Sequence, residues 1–262
     1  MKSVVKKLII TLCLSVCMAM PAYAGSTAHA EPQFESGQIV SFAKKVEKVM
    51  AGKGARVFIL ARAGRPASDM PDGFEYTHVA FGVYSMIKTN DGRTLPGYAI
   101  YNLYQDDKRP DISHLVTDYP VDFFAGVYEL KTGIIIPKPE LQKRLLQVIA
   151  SDTYRKLHNA DYSVVANPYN SKYQNCTEYT LDVIEAALYQ TDDVRLIKVN
   201  ERAYFKAQPV KIPPLKLLAG ILTMPDLKTT DQKGGIQTAS FTTIERYMSQ
   251  YGLVQEKLVI TQ

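Results

Sequence analysis

The sequence contains no tryptophan, three cysteines and four histidines, and no apolar run near the roughly 20 residues that a membrane-spanning helix needs. It also lacks a metal-ligand spacing such as His-Glu-x-x-His, so neither a metal nor an organic cofactor is expected. An excess of one charge is missing too. The 31 Lys and Arg stand against 26 Asp and Glu. Three of those lysines, Lys2, Lys6 and Lys7, fall in a segment expected to be removed, which leaves a basic surplus of two and no electrostatic reason to expect nucleic acid. What remains is an ordinary globular composition, 46% hydrophobic and 22% charged over 262 residues, rich enough to bury a single core.

The first 24 residues read as an export signal. Lys2, Lys6 and Lys7 precede a short apolar run, Leu8 to Met20, and Ala22-Tyr23-Ala24 supplies a small-x-small cleavage site before Gly25. Val16 before Cys17 is bulky where a lipoprotein signal has a small residue, so a lipoprotein is the less favoured reading and the expectation is a periplasmic or secreted protein without a transmembrane segment. Residues 25–35 read as a flexible lead-in, 36–200 as the main domain and 201–262 as an extension packed on it. Cys13 and Cys17 leave with the signal, so the mature chain keeps Cys176 alone and can form no internal disulfide. An unpaired thiol in an exported protein is either a small buried hydrophobe or a reactive group.

Periodicity places helices and strands in mixed order. Ile39, Phe42, Val46 and Met50 recur at helical spacing, and Arg56 to Leu60 reads as a buried strand. Thr77 to Tyr84 and Tyr98 to Tyr104 flank Asp91-Gly92 as a hairpin. Gly126 to Ile136 reads as a strand, and Pro139 opens a helix carrying Leu141, Leu145, Val148 and Ile149. Asp161 to Gln174 is a loop and Cys176 to Leu188 a helix. In the extension, four prolines between Pro209 and Pro225 mark irregular chain, Thr242 and Glu245 form a capping box, and Leu253 to Ile260 closes as a strand. Mixed rather than alternating order predicts an α+β fold.

Asn175 and Glu178 read as a capping box that puts Cys176 in the first turn of its helix, where unpaired N–H groups and the helix dipole favour a thiolate. The proton shuttle would be His78, which alternates with the small residues Ala80 and Gly82, leaving room for a helix on its face. His29, His114 and His158 read as solvated. Asn102 is the candidate to orient the imidazole, provided that a bulge at Pro96-Gly97 corrects the register; with strict two-residue pairing His78 faces Gln105, the fallback. The backbone N–H of Cys176 and Gln174 are the candidate oxyanion donors. Arg62 and Arg65, beside Gly64, read as solvated loop residues and stay outside this set.

The order of His78-Val79-Ala80, the Asn102 strand and then Asn175-Cys176-Thr177 resembles the circularly permuted papain-like hydrolases, which include NlpC-type and lecithin retinol acyltransferase-like enzymes. The runs Ala61-Arg62-Ala63-Gly64, Tyr76-Thr77-His78 and Tyr173-Gln174-Asn175-Cys176 resemble more closely a bacterial domain-of-unknown-function family, number 2145, over roughly Ile39 to Leu188. The resemblance implies an antiparallel sheet packed against a helix with Cys at its N-terminus. It also implies a thiol hydrolase or acyltransferase acting on an amide or ester carbonyl, with a cell-envelope peptide or lipid as substrate. The contrasting expectation is a non-catalytic envelope binding or assembly module on the same fold.

Overall fold

A computed structural model describes residues 31–89 and 91–262. The leader, its cleavage site and His29 lie outside the described residues. The chain runs through α1 (Ser36–Gly52), β1 (Val57–Arg62), β2 (His78–Lys88), β3 (Thr94–Gln105), β4 (Ser113–Asp118), α2 (Pro120–Ala125) and β5 (Lys131–Pro137). It continues through α3 (Pro139–Ile149), α4 (Asp152–Lys156), α5 (Cys176–Tyr189) and α6 (Val194–Tyr204). The last part comprises β6 (Gln208–Pro209), α7 (Pro214–Thr223), β7 (Gln237–Thr238), α8 (Phe241–Gln250) and β8 (Val254–Thr261).

This is an α+β fold built on a six-stranded sheet of order β4-β3-β2-β1-β5-β8, antiparallel at every pair. Its registers share one property. Arg62 pairs with His78, Phe81 with Tyr101, Asn102 with Val116 and Leu60 with Ile134, so even-numbered residues oppose even and odd oppose odd. Because side chains alternate along a strand, the even residues of β1–β5 line one face and the odd residues the other. The even face, with Phe58, Leu60, Ala80 and Ile100, packs on Phe42 and Val46 of α1 and on Phe123 and Phe124 of α2. The odd face, with Ile59, Val79, Phe81 and Val83, packs on α3, α5 and α8 through Leu145, Val183 and Ile244. β8 completes the sheet beside β5, so the end of the chain belongs to the same sheet as the candidate site.

Several elements depart from the sequence reading. The stretch holding His114, assigned to no element above, is strand β4, paired with β3. Helices α2, α6 and α7 were not anticipated; the Pro213-Pro214 and Pro225 signals bracket α7, since Pro suits a first helical turn. The capping box of α8 is formed by Ser240 and Thr243 rather than Thr242 and Glu245. Gly82 is small for a different reason than expected: a Cβ there would overlap the Phe58 ring of the neighbouring strand. The helix that covers the Ala80 face is α1, whereas α5, the Cys176 helix, covers Val79, Phe81 and Val83. Among the described residues no helix is long and apolar enough to cross a membrane.

Candidate functional site: a histidine wired to a half-buried carboxylate

His78 opens β2, fully buried on the even face. Its Nε2 lies 3.0 Å from Asn102 Oδ1. The register that permits this needs no bulge at Pro96-Gly97, where Met86↔Pro96 and Ser85↔Gly97 continue the ladder without interruption. The correction comes from the turn, because the ladder closes at Lys88↔Thr94 and Thr89 N–H donates to Arg93 O, a longer connection than two residues. That parity puts His78 and Asn102 on one face. Gln105, the fallback, faces away and donates instead to Pro110 O at 2.6 Å and Asp226 Oδ2 at 2.9 Å.

Asn102 is itself fixed. Its Nδ2 donates to Asp118 Oδ1 at 2.7 Å and to Ile100 O at 3.2 Å, so its Oδ1 is the atom facing the imidazole. An amide oxygen only accepts, so the proton of the neutral ring sits on Nε2 and the lone pair on Nδ1. Nδ1 is buried and has no hydrogen-bond partner. Asp118 also accepts from Tyr104 OH at 2.9 Å. Burial raises the Asp118 carboxyl to about 6, against the lowering by the Tyr104 hydroxyl.

Around the ring, Tyr104 stacks with centroids 4.8 Å apart and Phe123 tilts at 5.6 Å. Arg62, paired with His78 across β1 and β2, is buried and not a solvated loop residue. Its guanidinium donates to Phe123 O and lies 5.0 Å from the Phe123 ring centre and 5.6 Å from that of Tyr104. Burial and the Arg62 charge hold the His78 pKa well below 6.5, with only the Asn102 bond opposing them, so the imidazole is neutral across the physiological range.

Cys176 arrives from the other side of the sheet. The β2–β3 ladder ends at Phe81↔Tyr101, and beyond it the Val79 N–H points at the sulfur, one residue along from His78. The His78–Asn102 bond spans the same opening from the even face. His78 and Asn102 therefore meet on the even face, whereas Cys176 packs with Val79 and Phe81 on the odd face at the same end of the sheet, and no hydrogen bond joins His78 Nδ1 to the sulfur or to any other group.

The helix start is as expected in one half and different in the other. Asn175 Oδ1 accepts from Glu178 N–H at 2.9 Å and from Thr177 Oγ1 at 2.8 Å. Glu178 does not reach back to complete a box; it turns to Lys198 Nζ at 2.9 Å. The thiolate expectation is also corrected. Burial pushes the thiol up to about 11, outweighing the N–H groups of Val79, Thr177 and Cys176 and the Arg62 charge, all of which pull it down. The pair therefore rests as thiol and neutral imidazole.

Gln174 is committed elsewhere. Its Nε2 donates to Leu157 O and Asp182 Oδ2, and its own N–H to Asp161 O, so it has no donor left for an oxyanion. His158 is half-buried, with Nε2 3.0 Å from Ser113 Oγ, and exposed His114 meets Asp106 at 3.0 Å.

Sequence reasoning missed Asp118, Arg62 and Tyr162. The first two are even residues at strand ends, legible once the register is known. Tyr162 is buried near Cys176, Asp226 and Arg65, which act on its hydroxyl in addition to burial. Behind α5, Lys198 Nζ is held by Glu178, Asp182 at 2.5 Å and Glu201 at 3.0 Å, a cluster that locks α5 to α6. Among the described residues no group of three or more His, Cys, Asp or Glu is arranged to hold a metal ion.

No curated protein and no solved structure matches the chain. The model of a bacterial family, described as "Uncharacterized protein conserved in bacteria (DUF2145)", matches residues 49–248. This span takes in His78, Asn102, Asp118 and Cys176, and it reaches into α8, well past the Leu188 limit read from the motifs. The chain belongs to this family of bacterial proteins, DUF2145.

Proposed function

We propose that the protein is an exported thiol hydrolase or acyltransferase with a circularly permuted papain-like arrangement, acting on an amide or ester carbonyl of a cell-envelope peptide or lipid. The observation that carries this reading is the buried, unpartnered Nδ1 of a neutral His78, beside the residue whose N–H meets Cys176 Sγ. A buried imidazole nitrogen left open is costly unless it has work to do.

Because both groups rest uncharged, the first step is general-base catalysis rather than attack by a preformed thiolate. Cys176 Sγ bonds to the substrate carbonyl carbon while its proton passes to His78 Nδ1 around the open end of the β2–β3 ladder, the route this reading needs because the two side chains lie on opposite faces of the sheet. The imidazolium so formed is held through Nε2–H by Asn102. The carbonyl oxygen takes up negative charge near the first-turn N–H groups of α5, those of Cys176 and Thr177. Collapse breaks the C–N or C–O bond, Nδ1 returns the proton to the leaving amine or alcohol, and a thioester remains. Water or an acceptor alcohol or amine then attacks that thioester, with Nδ1 taking and returning its proton.

A second reading, a non-catalytic envelope module with Cys176 as a packed hydrophobe, is favoured by one observation, the burial that raises the thiol to about 11. An activated ester separates the two. The enzyme reading expects p-nitrophenyl butyrate to leave an acyl adduct on Cys176 of the folded protein, and His78→Gln to slow its formation by about 10²–10⁴-fold. The module reading expects an adduct only after unfolding, with no dependence on His78.

A further inference from the structure

Helix α7, Pro214–Thr223, buries none of its residues. Leu215 is 81% exposed, Leu222 76%, Leu218 54% and Ile221 43%. At 100° per residue these four fall on one broad stripe, while Lys216 and Thr223 fall on the opposite side. A scattered exposed leucine is ordinary, but four large aliphatic side chains on one short helix form a contiguous apolar patch that marks an interaction site.

Charge states what kind of surface fits. From Arg202 to Pro225 the chain carries Arg202, Lys206, Lys211 and Lys216 and no Asp or Glu. Lys206, Lys211 and Lys216 are all exposed. An apolar stripe flanked only by cations is complementary to a bilayer whose headgroups are anionic, where leucines enter the acyl boundary and lysines meet phosphates.

Position ties the helix to the site. The excursion that carries it is clamped at its base by β6 and β7 and by Val210 N–H donating to Ile236 O. It returns through Asp226, which accepts from Gln105 Nε2 at 2.9 Å and whose carbonyl accepts from Val164 N–H at 2.9 Å. Val164 lies two residues from Tyr162, the buried neighbour of Cys176. The helix is therefore anchored on the thiol side of the sheet.

We propose that α7 is a docking helix that seats this protein on an anionic lipid bilayer, with Leu215, Leu218, Ile221 and Leu222 in the membrane interface. If the thiol chemistry proposed above holds, on which this one step rests, the substrate carbonyl is presented from that surface, which selects a lipid-borne ester or amide over a soluble one.

Co-sedimentation of the full chain with phosphatidylglycerol-containing vesicles and with pure phosphatidylcholine vesicles tests the docking. The expected result is tighter binding to the anionic vesicles, weakened by salt. Leu215→Glu with Leu222→Glu should lower that binding by about tenfold or more. Its unfolding midpoint should not move, because both side chains are already in solvent. Lys211→Gln with Lys216→Gln should weaken binding to anionic vesicles only. Equal sedimentation of the wild type and the leucine variant, or none by the wild type, overturns the proposal. So does a dimer in solution that the leucine variant dissociates without any vesicle binding, since the patch then belongs to a second copy. Cys176→Ala should bind vesicles as the wild type does while forming no acyl adduct, so docking and thiol chemistry fail separately.

Discussion

The His78 assembly on the even face and the Lys198 assembly behind α5 are both buried and polar, yet they handle burial in opposite ways. Around His78 the hydrogen bonds run Tyr104 and Asn102 to Asp118, then Nε2–H to Asn102, and stop with one open nitrogen. Around Lys198 one ammonium faces three carboxylates from two helices, with oxygens of Glu178 and Glu201 left over. Burial and crowding raise Glu178 and Glu201 well above their ordinary range. Burial alone would lower Lys198, but the carboxylates raise it. The first assembly orders its groups so that one ring nitrogen stays open; the second spends its polar groups on joining α5 to α6. The Cys176 helix stands between them, its N-terminus facing one and its flank facing the other.

The sharpest break of this comparison is Lys198→Met. With the only cation of the cluster gone, three buried carboxyl groups lose their partner, and the expected loss is about 3–5 kcal/mol in urea denaturation. Asp118→Ala ranks next, with a loss of about 2–3 kcal/mol because one N–H of Asn102 Nδ2 and the Tyr104 OH lose their acceptor. It should also slow Cys176 acylation, since a freed amide can turn its NH2 to the imidazole. Asp118→Asn keeps an accepting oxygen and should restore most of the rate, which separates positioning from stability. Asn175→Ala removes the α5 cap and should cost about 1–2 kcal/mol.

The last effect concerns pH. Burial raises Glu185, bonded to Tyr247, from 4.5 to about 7. The folded state then holds a proton that the unfolded chain has released, so stability falls as pH rises from 4.5 to about 7 and levels off above it. Glu185→Gln should flatten that part of the stability curve by at most about 3 kcal/mol, measured as the unfolding free energy at the two ends of the window.

Much of the fold was legible because its helices and strands are periodic: Ile39, Phe42, Val46 and Met50 form one stripe of α1, and His78 alternates cleanly with Ala80 and Gly82 in β2. The site was legible in its residue types and not in its wiring. The even-number rule that unites Arg62, His78, Asn102 and Asp118 depends on the length of one turn, between Lys88 and Thr94, and a one-residue error there reverses every face. Burial was the other hidden quantity. Local sequence places Cys176 at a helix N-terminus, which lowers a thiol, whereas the surrounding core that raises it comes from β2, Tyr162 and α8, distant in the chain. Arg62 looked like a loop residue because Gly64-Arg65-Pro66 follows it, but it is the last residue of a central strand and Phe123 closes over it.

The account turns on a neutral imidazole taking the proton of a neutral thiol. The most direct test is the pH dependence of Cys176 acylation by p-nitrophenyl butyrate, followed by mass on the folded protein. A base held well below 6.5 and a thiol raised to about 11 predict a rate constant that stays level from mildly acid to mildly alkaline pH and collapses in His78→Gln. A rate that climbs about tenfold per pH unit toward the thiol pKa, unchanged in His78→Gln, would contradict it.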